Sequence, residues 1–299
     1  MSRTAPILLF RAGGRLHVGH VAVGNGVAGL IQRRADDPDC SFTATSLAAG
    51  DAVHGANAGG LVCAAIDHPG HPLVAAVLGG ADGAEEAAAM LRVLPGEVSR
   101  CVSLLLADAE TALVATVQPG GQVEVHGAAV EDRGEAGLAE LLTAVRAVEP
   151  EPEPGATPAA ALAAVLERDC SPALHVALGP PGCAVFLRLL PGMELVPDLA
   201  AAPEGTPLAR LAAAVAQTTS TDAELRRRAR ERLDRAEREA LREGEEAERM
   251  AALMDSHTDD RGAMMRRMVG QAHAAELARL ALEELAVPAP RGGGGGPRL

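Results

Sequence analysis

The sequence predicts an α+β protein, with antiparallel sheets in its first two thirds and long helices in its last third. Three observations carry this. Residues 61–66 (LVCAAI) and 102–107 (VSLLLA) are apolar runs of strand length that do not alternate with polar residues, the pattern of a strand covered on both faces. Several further strand-sized segments are separated by Gly, Pro and Asp turn residues. Residues 222–254 are rich in charge, yet Leu225, Ala229, Leu233, Ala236, Ala240, Ala247, Met250 and Met254 recur at steps of three, four and seven, which places one apolar stripe on a helix.

In chain order, residues 6–10 and 16–23 read as two strands joined by the turn at 11–15, and 41–46 as a third that ends at Ala48-Ala49-Gly50-Asp51. The run 61–66 stops at Asp67-His68-Pro69-Gly70. Residues 73–78 and 84–94 read as helices, the second with Asp82 as N-cap and Pro95-Gly96 as its stop. Three strands follow at 102–107, 112–117 and 122–125, with turns at 108–110 and 119–121. A helix is expected over 135–148, a Pro-rich acidic loop over 149–158 (EPEPEPGATP), and another helix over the Ala-rich stretch 159–168. Residues 184–190 and 193–196 read as a hairpin about Pro191-Gly192. The charged helix 222–254 carries acid-before-base pairs at i,i+4, such as Glu224/Arg228 and Glu231/Arg235, each adding a few tenths of a kcal/mol. A last helix spans 262–286, and the Gly-rich tail after Arg291 is expected to be disordered.

Composition removes several chemistries. All 27 basic residues are arginine, and Tyr and Trp are absent, so no lysine Schiff base, tyrosine acid or P-loop lysine is available. A formal charge of -13 argues against nucleic acid as a partner, because phosphate neutralisation needs a basic surface. The five cysteines are scattered with no CxxC pair, so neither a disulfide framework nor a zinc knuckle is signalled. No apolar run reaches the ~18 residues of a membrane helix, and no secretory leader is evident. The expectation is a cytoplasmic protein with no membrane partner, no cofactor and no metal.

Histidines recur in pairs without a ligand geometry. His17 and His20 fall on opposite faces of a strand. His68 and His71 flank a Pro-Gly turn and read as a solvated loop. Gly24-Asn25-Gly26 with Gly29 lacks the GxGxxG spacing of a dinucleotide loop, and Ser256-His257-Thr258-Asp259-Asp260 reads as a capping loop.

What remains is the stretch 54–66, HGANAGGLVCAAI, where a single amide stands among small residues. Three pieces follow one another: Gly55-Ala56-Asn57-Ala58-Gly59-Gly60-Leu61, then Gly83-Ala84-Glu85-Glu86-Ala87, then Ser103-Leu104-Leu105-Leu106-Ala107-Asp108-Ala109 ahead of the strand 112–117. Their order resembles that of the secernins and related dipeptidases, and more distantly of penicillin-acyltransferase-like proteins, all N-terminal-nucleophile hydrolases. The resemblance extends loosely over residues 1–200 and is specific only over 53–117. It implies a four-layer αββα sandwich of two antiparallel sheets over residues 1–204, a charged helical extension over 205–287 and a tail over 288–299. It also implies an N-terminal side chain that attacks an amide carbonyl while its own α-amine acts as base, with nearby amides holding the oxyanion.

On that reading Ser2 is the residual nucleophile, Asn57 the oxyanion donor and Ser103 a polar support. The alternative for Asn57 is a turn-closing amide. The family's nucleophilic cysteine is missing from Met1-Ser2-Arg3-Thr4, its second-strand Asn and Asp fall on Val21 and Val23, and the Glu of its G-x-N-E segment is Ala58. The expectation is therefore an impaired amidohydrolase acting, if at all, on a small amide or peptide. The alternative is a non-enzymatic binding or assembly module, homo-oligomeric through its charged C-terminal helices.

Overall fold

A computed structural model describes residues 7–24, 28–47, 51–66, 71–94, 98–148, 157–168, 170–200, 205–255 and 260–286. Ser2, Asn25, Gly26, His68, the acidic stretch 149–156, residues 256–259 and the Gly-rich tail lie outside them.

The chain opens with an antiparallel pair, β1 (Ile7–Ala12) and β2 (Arg15–Gly24). It then crosses to a second sheet through β3 (Ala28–Arg33), β4 (Phe42–Leu47), β5 (Ala52–Asn57) and β6 (Val62–Ala65). Two helices follow, α1 (Pro72–Leu78) and α2 (Ala84–Val93), before β7 (Val102–Ala107), β8 (Ala112–Val117) and β9 (Val123–Gly127) complete that sheet. After β10 (Glu131–Asp132) and α3 (Leu138–Ala147), the chain returns to the first sheet as β11 (Thr157–Leu166), β12 (Ala173–Leu178) and β13 (Phe186–Leu189). Three helices end it: α4 (Pro207–Thr219), α5 (Ala223–Asp255) and α6 (Asp260–Ala286).

The first sheet has the order β10-β1-β2-β11-β12-β13, and the second is the consecutive meander β3 to β9. Their facing sides share one apolar core, to which Val18 and Leu162 contribute from the first sheet and Val62, Ala64 and Leu105 from the second. α1 and α2 cover the outer face of the second sheet through Val74, Leu78, Ala87 and Leu91. α3 and the C-terminal helices cover the outer face of the first. The result is an α+β sandwich of four layers. β6 and β7 lie in the middle of the seven-stranded sheet, as their unbroken apolar sequences require.

Several segments differ from expectation, each for a physical reason. The Ala-rich stretch read as a helix over 159–168 is β11, paired with both β2 and β12. Ala160 to Ala164 are fully buried, and alanine, a strong helix former, serves here because a central strand pressed from both faces has room only for small side chains. Gly19 on neighbouring β2 shows the same crowding: a Cβ there would lie 2.7 Å from Val145 of α3. The expected hairpin over 184–196 keeps only its first arm, β13. Gly192 turns the chain with φ 73°, and the return segment instead gives Leu195 N–H to Gln32 and Val196 N–H to Gln271. Asp82 does not cap α2. Gly83 occupies the N-cap with no side-chain bond, and Asp108, 24 residues on, accepts the Ala84 N–H at 2.8 Å.

The C-terminal helices begin as part of the outer layer. Glu237 of α5, nearly fully buried, accepts the Phe186 N–H of β13 at 3.0 Å and pairs with Arg146 of α3. Gly244 then lies against the Arg188 side chain, and Gly270 of α6 against Ala247. Among the described residues no helix is long and apolar enough to cross a membrane.

Candidate functional site

Asn57 closes β5 and is completely buried. Its Nδ2 donates to the carbonyls of Leu78 at 3.1 Å and Ala81 at 2.6 Å, and its Oδ1 accepts the Leu61 N–H at 2.9 Å. The side chain therefore staples the β5–β6 turn to the C-terminal end of α1. An oxyanion donor needs an N–H aimed at empty space where charge develops, and both of these N–H groups already meet backbone carbonyls. The amide among small residues answers a packing need: it partners one N–H of the β5–β6 turn and two carbonyls at the C-terminal end of α1.

Ser103 sits on β7 opposite Thr116 of β8, with the two hydroxyl oxygens 3.3 Å apart. It lies beside Ile66, whose N–H bonds its carbonyl, whereas Asn57 lies beside Leu61. Five residues of extended chain separate those two levels, about 16 Å. One reacting carbonyl cannot touch both side chains, and Ser2 is outside the described residues. Of the three residues singled out in the sequence, Asn57 and Ser103 are thus not brought together.

The polar group that the fold does assemble lies between the sheets. His20 points inward from β2 and meets His54 of β5, Nδ1 to Nδ1 at 2.7 Å with the rings nearly perpendicular. A register shift between Thr45 and Ser46 on β4 leaves β5 one residue longer at this point, and this bulge aims His54 at the other sheet. Two nitrogens at that distance hold one proton between them, so one ring carries Nδ1–H and the other Nε2–H. Both Nε2 atoms, and the nearby Thr45 Oγ1, are buried without a partner among the described residues. Burial lowers the His20 pKa to about 4, against a small opposing pull from the Ala65 carbonyl. Burial, and then the neighbouring His20, hold His54 well below the usual range. Two neutral imidazoles are competent bases, but both are 0% exposed, so no substrate reaches them. His17, three residues from His20, faces outward and stacks on Phe10 at 4.7 Å. The sequence shows that His17 and His20 part company. Nothing local in it shows that His20 and His54 meet, because that needs both the bulge and the stacking of the sheets.

The open cleft of the sandwich holds about 600 Å³ and is lined by Gly60, Asp82, Glu86, Asp108, Glu110 and Arg168 among others. Asp108 is engaged inside its own loop, where Oδ1 accepts the N–H groups of Glu110 and Thr111 while Oδ2 caps α2. Hydrogen bonding to Glu86, then burial, raises the Asp82 carboxyl, while the Asp82 backbone N–H lowers Glu86. Of the two, Asp82 is the carboxyl that takes up a proton first as pH falls. The thiol of Cys63, fully buried, is pushed up by burial, which makes it a small hydrophobe and not a nucleophile. Among the described residues no group of three or more His, Cys, Asp or Glu is placed to hold a metal ion. No family model matches this chain, and no curated protein matches it.

Proposed function

We propose that this chain is a catalytically impaired relative of amide-bond hydrolases that works as an assembly module, pairing with a second copy of itself through the α5–α6 hairpin. The observation that carries this reading is the exposed apolar end of the hairpin. Past Ala247 the two helices hold each other, through buried Ala251 and Ala263 and through Arg267, which pairs with Glu248 and Asp255. On the outside, Leu253, Met265 and Val269 are 55%, 53% and 52% exposed, with Met250 and Met264 beside them. Large apolar side chains exposed in number at one end of a hairpin support an interaction site there.

Charge and size favour a second copy as occupant. Residues 222–286 carry 13 arginines interspersed with 16 carboxylates, a mixed pattern that an antiparallel copy of itself can match. The stretch past Ala247 spans only about 15 Å of each helix, so a copy must also meet the outward sides of α5 (33 residues) and α6 (27 residues) to reach the ~800 Å² per partner of a stable complex. The impaired-enzyme part rests on the full engagement of Asn57 and on its distance from Ser103.

The test combines sizing with activity. Wild-type protein should sediment at about twice 30.4 kDa, and Leu253→Glu with Met265→Glu should halve that mass without changing the helical circular dichroism. A peptide panel should be hydrolysed near background, with no change in Ser2→Ala. A monomeric wild type, or Ser2-dependent cleavage, would overturn the proposal.

A further inference from the structure

A second polar cluster lies on the outer face of the first sheet, where the hairpin leaves it. Arg188 of β13 stands beside His175 of β12 and under Gly244 of α5. Its Nε is buried with no acceptor, and Arg188 makes no ion pair among the described residues. Gln271 of α6 is 5% exposed. Its Oε1 accepts the Val196 N–H at 2.9 Å, and this bond fixes which way the amide points. The Nε2 on its other side has no partner. Arg188 and Gln271 line one small, partly open cavity of about 20 Å³, with Met193, Gly244, Ala247, Glu248 and Arg267 also on its wall.

The unsatisfied atoms on Arg188 and Gln271 are both donors. Arg188 is only half-buried, but its Nε has no acceptor and its charge has no ion pair among the described residues; a buried N–H without an acceptor is costly on either side chain, and a single acceptor of charge minus one relieves both. The one carboxylate on the wall, Glu248, is engaged by Arg267, which also takes Asp255 at 2.7 Å. A cavity of this size has room for one water-sized particle, so phosphate and carboxylates are too large. A water would accept both N–H groups but would leave its own two hydrogens to place and would bring no charge to the Arg188 side.

We infer that this cavity is a binding site for one monatomic monovalent anion, a halide such as chloride, held by Arg188 Nε and Gln271 Nε2. The bound ion pins the base of the α5–α6 hairpin to β13 and makes the seating of the hairpin depend on halide. Gln271→Glu is the informative variant. Its carboxylate keeps one oxygen on the Val196 N–H and puts the other, negatively charged, where Nε2 stood, so the side chain itself replaces the ion.

The experiment compares melting of the full chain in sodium chloride and in sodium gluconate at equal ionic strength, alongside anomalous maps of bromide-soaked crystals. The expected result is a melting temperature that rises roughly 2–3 °C per tenfold chloride above saturation, with no such rise in gluconate. A bromide peak is expected within hydrogen-bond reach of both nitrogens. Gln271→Glu should melt at the same temperature in both salts and show no peak. A water in place of bromide, equal melting in the two salts, or a halide dependence that survives Gln271→Glu would each overturn the inference.

Discussion

Acid should unfold this protein earlier than its carboxylates alone would, because three histidines are buried neutral. His20 and His175 are both held at about 4 against an ordinary 6.5, burial being the larger cause in each. His54 is lowered in the same direction, by burial and by His20. The sign follows from proton counting. Between pH 6.5 and 4 the unfolded chain binds these protons and the folded chain does not, so stability is complete above pH 6.5 and is lost as pH falls. Holding each ring at about 4 against 6.5 is worth ~3 kcal/mol per group. His20 and His175 together thus remove about 6 kcal/mol by pH 4, comparable with the entire ~5–15 kcal/mol stability of a typical domain. Urea denaturation followed by circular dichroism at pH steps from 7.5 to 5 reads the slope directly. Near pH 5.5, two to three protons give about 3–4 kcal/mol per pH unit. The double variant His20→Leu/His54→Leu removes the pair without leaving either ring partnerless, and its slope should fall to about that of one proton. A wild-type stability that is flat between pH 7 and 5, or an unchanged slope in the double variant, would refute the reasoning.

Other substitutions test the staples of the fold. Glu237→Ala leaves the Phe186 N–H without its acceptor and Arg146 with only its longer contact to Asp234 and should lower stability by about 2–3 kcal/mol in urea, with Glu237→Gln losing less because it can still accept from Phe186. Asn57→Ala leaves the Leu78 and Ala81 carbonyls and the Leu61 N–H unpaired; a loss of about 2–4 kcal/mol is expected, and background hydrolysis of amides should not change. Gly270→Ala would set a Cβ 2.2 Å from that of Ala247, so the helices must part. Thermal melting should fall, and hydrogen exchange should speed up beyond Gly270 and Ala247.

The sequence made the middle of the second sheet and the two long helices legible because their signals are local. LVCAAI and VSLLLA are apolar on both faces, and the stripe from Leu225 to Met254 repeats at helical steps. β11 was hidden because TPAAALAAVL has alanine's helix propensity, and only its neighbours β2 and β12, invisible in the segment itself, make it a strand. α4 did carry a readable signal, since Thr206 followed by Pro207 is an N-cap and first-turn pair, and Thr206 Oγ1 accepts the Ala209 N–H. For Asn57 the turn-closing alternative describes the bonds it makes, but its partners lie 21 and 24 residues away. The His20–His54 pair and the Arg188–Gln271 cavity join residues from different elements, and no spacing within a segment encodes either.

The claim that the hairpin end is the working surface of this protein is tested most directly by hydrogen exchange at two protein concentrations. Passing from submicromolar to tens of micromolar protein should slow exchange in the α5 and α6 peptides that carry Met250, Leu253, Met265 and Val269, and leave the cleft around Asp82 and Asp108 unchanged. Protection that appears at the cleft, or exchange at the hairpin that is independent of concentration, would contradict it.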